Sequence, residues 1–480
     1  MSKEIFTVDL HCHPHIKAFN SGYPNPKANI WDKIHHKIET DFAKSISGIS
    51  QKVLKETQTN LDALSAGNVR VFQVSLYPLE RGFLHLRNIP KFLIGKKRIN
   101  IMQEVITGYD VSCIENQMSH YNYFEDLERE YAYVTEQQGK SPDGKNEFVL
   151  VNNFDELEKA LKKPNTLIGI MTIEGAHVLG TGSPDADVMS VEDLKKMLTE
   201  NILALKRWEY PPFMINLAHH FWNHLSGHAT SFKPPINSMV NQNKGKNKGI
   251  TELGWHVVRE LLSRENGKRI LIDTKHMSAL ARKEYFAFIN NYNSINPNDM
   301  IPVVSSHAGM NGFNTLDSSM KETDVLAKAR AHKLYRWSIN ITNEEARVIH
   351  QSGGLIGVMM DKGNLGGIQY VRQVTDITDL KKQREEFSKM FWDNAFQIVK
   401  AVEDKSGWDA VAIGTDFDGS ITHMDPYESA AKFPLFQQDL IEYLEANRYQ
   451  EELWYGYTPN ELVEKIMNGN AMQFYKRFFV

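Results

Sequence analysis

Ile5-Phe-Thr-Val-Asp-Leu-His11-Cys-His13 begins as a short aliphatic and β-branched run and ends on two imidazoles one residue apart. Alternate residues of a strand point to the same face, so the run predicts a strand that presents His11 and His13 together and turns Cys12 away. Cys12 therefore reads as a small buried residue and not as a ligand.

The same habit recurs along the chain. Leu167–Ile173 runs into Glu174, Met214–Ala218 into His219, and Ile270–Thr274 toward His276. Ile301–Ser306 runs into His307, and Val411–Thr415 into Asp416. Val69–Ser75 and Leu355–Met360 are runs of the same kind. Such runs read as fully buried parallel strands. Amphipathic stretches between them, such as Val191–Trp208 and Glu252–Ser263, read as helices. Eight strands alternating with helices predict an α/β fold, a (β/α)8 TIM-type barrel with large loop insertions. Phe148–Asn152 is a ninth, accessory strand. The carboxyl ends of barrel strands converge on one face, so residues far apart in sequence share a site there. Polar residues follow strands in any protein. Six strand ends that carry His, Glu or Asp, and no Lys or Arg, form a narrower pattern than that.

The chain has 480 residues, long for an ordinary domain but suited to one barrel with insertions, so a single domain over 1–480 is expected. Tyr77–Asn146 breaks the strand–helix rhythm with a basic run, Arg81 to Lys97, and a tyrosine-rich helical stretch, His120–Gln137. It reads as an insertion after the second strand, either a lid or a dimer element. Ser231–Lys248, rich in Asn, Lys, Pro and Ser, reads as a long mobile loop. A formal net charge of -4 leaves no basic footprint for nucleic acid or anionic membrane. Two cysteines, Cys12 and Cys113, cannot build a disulfide framework, and no apolar run is long enough to span a bilayer. A cytoplasmic protein acting on a small molecule, possible as a homodimer, is the expectation.

The chemistry follows from the residue types. His11, His13, His276 and His307 offer neutral nitrogen donors that suit zinc or a similar divalent ion. Glu174 is the group able to bridge two ions, and Gly175 lets the backbone turn sharply after it. Two ions ~3.5–4 Å apart hold a hydroxide and lower its pKa enough for attack at neutral pH. Asp416, in Gly-Thr-Asp-Phe-Asp-Gly, is placed to move the proton, and Asp418 to shape the loop. His219 is a candidate for stabilising the oxyanion. His220, His224 and His228 crowd the same segment; His219 is favoured because it directly follows the apolar run.

Taken in order, Leu64-Ser-Ala-Gly-Asn-Val-Arg, Ile173-Glu-Gly-Ala-His, Gly249-Ile-Thr-Glu-Leu-Gly, Leu271-Ile-Asp-Thr-Lys-His-Met-Ser, Val304-Ser-Ser-His-Ala, Gly414-Thr-Asp-Phe-Asp-Gly and Met467-Asn-Gly-Asn resemble the membrane (renal-type) dipeptidases of the amidohydrolase superfamily. The resemblance runs from Val8 to the C-terminal helix. It implies two zinc ions bridged by Glu174 and a hydroxide, with His11 on the first ion and His276 and His307 on the second. It implies that the hydroxide attacks the scissile amide carbonyl of a dipeptide, Asp416 transfers the proton, and His219 stabilises the tetrahedral intermediate.

Three departures stand out. The family pattern opens His-x-Asp, whereas here a neutral His13 replaces the anion. The arginine that binds the substrate carboxylate in the family falls at Ile339, with Arg336 three residues away. The insertions at 77–146 and 231–248 remodel the pocket. An amidohydrolase acting on another amide, lactone or ester is therefore the alternative. Asp9-Leu-His-Cys-His also resembles the opening of the polymerase-and-histidinol-phosphatase family, which would make a metal-dependent phosphoesterase, but the later motifs follow the dipeptidase order. A non-catalytic binding barrel would have to bury Glu174, His276, His307 and Asp416 without a metal, at a cost in stability.

Overall fold

Eight parallel strands follow one another around the molecule in the computed structural model, which describes residues 5–22, 25–35, 56–86, 96–232, 236–321 and 332–480. Ten strands are numbered in chain order: β1 Thr7–Cys12, β2 Val69–Leu76, β3 Gly139–Lys140, β4 Glu147–Leu150, β5 Thr166–Ile173, β6 Met214–Asn216, β7 Leu271–Asp273, β8 Ser305–Ala308, β9 Ile356–Val358 and β10 Val411–Ile413. β2 pairs with β1 and β5, β6 with β5 and β7, and β9 with β8 and β10, which returns to β1. The last gap, between β7 and β8, carries a parallel bridge from Asp273 to Val304 and a 2.9 Å bond from Thr274 N–H to the Val304 carbonyl. This is the expected barrel. The accessory strand is also present: β4 pairs along the first half of β5 and leaves the end of that edge to β6.

The strands are buried along nearly their whole length, which is why they read as continuous apolar runs. Helices return the chain between them. Val191–Lys206 joins β5 to β6, Glu252–Leu262 joins β6 to β7, Ala279–Ile295 joins β7 to β8, and Leu380–Val402 joins β9 to β10. Ser190, Thr251 and Ser278 each cap their helix by accepting a backbone N–H of its first turn. No described helix is long and apolar enough to cross a membrane.

β8 begins four residues later than the apolar run that announced it. Pro302 lies in that run and cannot donate to a ladder, so regular pairing starts at Ser305. The segment after β2 holds helices Lys96–Thr107, Val111–Ser119 and Tyr123–Glu136. Residues 87–95 and 233–235 lie outside the described residues. In the remainder of 231–248 the chain forms a short helix, Ile236–Met239, and Lys246 bridges His228.

Behind β7 and β8, Arg282 and Glu345 form a fully buried ion pair at 2.6 Å. Arg282 also donates to the carbonyls of Met277 and Ser338, and Glu345 closes a capping box with Thr342. Burial alone pushes the Glu345 carboxyl up, and the guanidinium works against that. Removing one partner strands the other charge in the interior. Glu345→Ala is therefore expected to lower the free energy of unfolding in urea by about 3–5 kcal/mol. Lys283→Ala, which breaks the exposed Lys283–Asp317 pair, should leave the midpoint nearly unchanged.

Candidate metal centre

At the carboxyl ends of the strands the seven residues singled out by sequence converge. Glu174 stands at their middle. Its Oε1 is 3.1 Å from His276 Nε2 and 3.4 Å from the Nε2 atoms of His11, His307 and His219. Its Oε2 is 3.1 Å from His13 Nε2. Asp416 lies slightly farther out, with Oδ1 3.8 Å from His13 and 4.0 Å from His11, and Oδ2 4.0 Å from His307. All seven are buried. The ligand atoms form two clusters within 4.8 Å, His11–His13–Glu174–Asp416 and Glu174–His276–His307, which share Glu174. Two further groupings among the described residues, His219–His220–His276 and His11–Asp273–His307, border them.

The backbone is shaped to bring these groups in. Gly175 turns off β5 at φ 102°, and a Cβ there would lie 2.5 Å from His177 Nδ1 and 3.1 Å from His219 Cβ. His276 and Asp416 sit in the left-handed region at φ 66° and 61°. That conformation is unfavourable for a non-glycine residue and recurs at functional sites. A Cβ on Gly419 would fall 1.9 Å from Asp416 Oδ1, so only glycine permits the carboxylate its place.

Hydrogen bonds behind the imidazoles fix which nitrogen faces the site. His13 Nδ1 meets the Ser75 carbonyl at 2.7 Å; a carbonyl only accepts, so the proton is on Nδ1. The Ser306 hydroxyl donates to Asp273, and its oxygen lies 2.8 Å from His307 Nδ1 and 3.2 Å from His11 Nδ1. Those nitrogens accordingly carry the protons, and the Nε2 lone pairs turn inward. His11 Nε2 and His13 Nε2 are buried without a hydrogen-bond partner. His276 Nε2 stands 3.2 Å from His307 Nε2. Lone pairs facing one another and a carboxylate at such distances repel unless a cation lies between them. Ligands held ~2.0–2.2 Å from a tetrahedral ion sit roughly 3.3–3.6 Å apart, close to these separations. The donor set fits divalent metal.

Protonation follows the same geometry. Burial and the charge on His219 hold His276 down at about 3, and burial and neighbouring positive charge hold His307 far below its ordinary value. Burial also lowers His11. For His13 burial opposes the charge, but Glu174 and Asp416 outweigh it and raise the imidazole. Burial and the negative charge of Glu174 push Asp416 well above the usual carboxylate range. Burial brings Lys275 down to about 8 against the pull of Asp416 and Asp361.

Sequence reasoning missed Glu80. It lies in the segment after β2, yet its Oε2 is 2.6 Å from His219 Nδ1, and it also accepts the Phe221 N–H. Burial opposes ionisation of both groups. The Glu174 and Glu80 carboxylates nevertheless raise His219 to about 10, and His219 in turn lowers Glu80 to about 2. For His219, raised from 6.5, the stabilisation is complete below pH ~6.5 and is lost as pH rises through about 10. For Glu80, depressed from 4.5, it is complete above pH ~4.5 and is lost as pH falls through about 2. In metal-free protein the His219 ring signals should thus stay at their imidazolium positions between pH 5 and pH 9 in NMR, within these limits. Glu80→Gln should bring the titration down into that range. A wild-type His219 titrating near 6.5 would contradict the pairing.

The other histidines of the segment have separate partners. His220 Nδ1 meets Ser231 Oγ at 2.7 Å, His224 meets Asp187 at 3.0 Å, and both ring nitrogens of His228 face backbone carbonyls. Asp418 takes the N–H groups of Gln58 and Thr59 and the Lys17 ammonium, as a loop-shaping residue does. Cys12 is buried, with its thiol toward the Gln73 carbonyl, and burial raises its pKa. Ile339 lines the cavity, while the Arg336 guanidinium packs 3.9 Å from the centre of the Phe313 ring.

The sequence profile of the membrane dipeptidases, peptidase family M19, matches residues 229–476, more than half of the chain and including His276, His307 and Asp416. The chain belongs to the membrane dipeptidase family. It is a metal-dependent, dipeptidase-like hydrolase. No curated protein matches it in sequence. The fold is similar to that of the dipeptidase AC, a metallopeptidase of family M19, with a TM-score of 0.53 at 14% identity over 99% of each chain. It is similar to a metallopeptidase from Rhodobacter sphaeroides liganded with a phosphinate mimic of the dipeptide L-Ala-D-Ala, with a TM-score of 0.51 at 13% identity over 99% of this chain and 100% of that one. The probable dipeptidase PvdM from Pseudomonas aeruginosa gives 0.50 at 14% identity, over 98% and 95%. At these identities the structural likeness speaks for the fold, and the family membership for the chemistry.

Proposed function

We propose that this dipeptidase-family chain is a binuclear zinc hydrolase of dipeptides, built as one barrel domain over 1–480 with an insertion at 77–146. The observation that carries the reading is the position of Glu174, each of whose oxygens faces inward-turned imidazole lone pairs. His11 and His13, with Asp416 near by, would hold one ion, His276 and His307 the other, and Glu174 both. The imidazole-rich set suits zinc. When bound, a pair of such ions acidifies a water and polarises the scissile carbonyl.

The chain's own residues supply the remainder. Asp416, made more basic by burial and by Glu174, takes the proton that the attacking water gives up and returns it to the leaving amine. His219 keeps Nδ1–H on Glu80, which turns its Nε2–H into the site beside Glu174, where it donates to the oxygen on which charge develops. From the insertion, Tyr77, Phe83 and Tyr109 wall the cavity and exclude water around these groups.

The test is an assay of the metal-replete protein on L,L and L,D dipeptides beside N-acyl amino acids, lactones and phosphate esters. Dipeptides should be the best substrates. No turnover of any dipeptide, with clear hydrolysis of a lactone or N-acyl compound, would overturn the proposal.

A further inference from the structure

Two lysines line the cavity above the proposed metal ligands, and they are held very differently. The Lys17 ammonium is paired with Asp418 at 2.7 Å and donates to the Glu56 carbonyl at 2.5 Å. Lys275, between β7 and His276, is 2% exposed, and its Nζ makes no hydrogen bond. No arginine lines the cavity among the described residues. The carboxylates whose charge reaches Lys275, Asp416 foremost and then Asp361, Asp273 and Glu174, make no hydrogen bond to its Nζ. Asp361 caps the turn at Gly363 and takes the Asn364 amide, while Asp273 takes the Ser306 hydroxyl and the Lys275 N–H. A buried ammonium that makes no hydrogen bond is costly, and an anionic ligand group that accepts from it removes that cost.

We propose that Lys275 is the specificity-determining residue that receives the carboxylate of the substrate, placing the scissile amide over Glu174 and Asp416. The proposal rests on the dipeptidase reading and narrows it. The substrate class becomes amides with a free carboxylate on the leaving amine's side, near the scissile bond, and neutral amides of the same size are poor substrates. The Lys275 backbone is fixed independently of any ligand, since its N–H donates to Asp273 and its carbonyl accepts from Asn216. The ammonium is thus presented from a rigid strand end and needs no ordering of a loop.

The experiment compares an Ala-Ala dipeptide with its C-terminal amide, for the metal-loaded wild type and for Lys275→Met, with metal content measured on both proteins. In the wild type the KM of the amide should exceed that of the dipeptide by about 10- to 100-fold, the size of a charge-assisted hydrogen bond to a buried group. Lys275→Met should bring the two KM values together, mainly by raising that of the dipeptide, with kcat for the dipeptide falling much less. A purely structural role for Lys275 would lower kcat for both substrates and keep their ratio, and that result overturns the proposal. Equal KM values in the wild type overturn it even where the variant fails to fold or loses metal. A wild type that hydrolyses neither compound refutes the dipeptidase reading itself, and this proposal with it.

Discussion

Asp416→Asn protein is expected to fold, to bind metal at close to the wild-type level, and to hydrolyse dipeptides about 10²- to 10⁴-fold more slowly in kcat. The two halves of this expectation come from different features of the site. Asp416 lies 3.8–4.0 Å from the nearest imidazole nitrogens, outside the 3.1–3.4 Å contacts made by Glu174, so the donor set is centred on Glu174. An asparagine retains a carbonyl oxygen in the same space, under the same restriction imposed by Gly419. It cannot hold a proton at neutral pH. Turnover measured with metal content on the same preparation separates the two effects. Unchanged turnover would remove Asp416 from the proton-transfer role, and a variant that loses its metal would make it a ligand first.

Glu174→Gln is expected to do the reverse. Metal content should fall, and activity with it, by more than about 10³-fold, because the loss removes stabilisation worth several kcal/mol in the transition state. An amide offers one oxygen where the carboxylate offers two, and its nitrogen is a donor pointed at imidazole lone pairs. No single residue of the site has more at stake, since Glu174 faces His11, His13, His219, His276 and His307 together. Elemental analysis of the variant beside the wild type checks it. A variant that retained two metals per chain would contradict the bridging role.

The barrel and most of its site were legible in the sequence because one physical rule produces both. Fully buried parallel strands are written as short apolar runs, and the residue after each run lands on the face where the strands converge. His11, Glu174, His219, His307 and Asp416 each follow such a run, and all of them meet. Where the pattern carried a contrary signal the structure followed it, as with Pro302 and the late start of β8. The partners behind the imidazoles were harder to see. Ser75 is small and polar within an apolar strand and shares the parity of Gln73, a signal that could have found it. Glu80 gives none: it sits in a segment without periodicity, 139 residues from the histidine it orients. Lys275 reads in sequence as a charged residue at a turn, and only burial shows that its ammonium is enclosed.

His11 and His13 are the first candidate ligands along the chain, and the structure places both against Glu174. His13 supplies a neutral nitrogen where the dipeptidase pattern has a carboxylate, and metal loading is the property that this exchange bears on most directly. The decisive measurement is a titration of chelator-stripped protein with zinc, following bound metal and dipeptide hydrolysis in the same samples. The account predicts no hydrolysis without metal, and a rise to full activity that levels off at two ions per chain. Dipeptide hydrolysis that persists in metal-free protein would contradict it, as would a chain that binds two ions and hydrolyses no dipeptide.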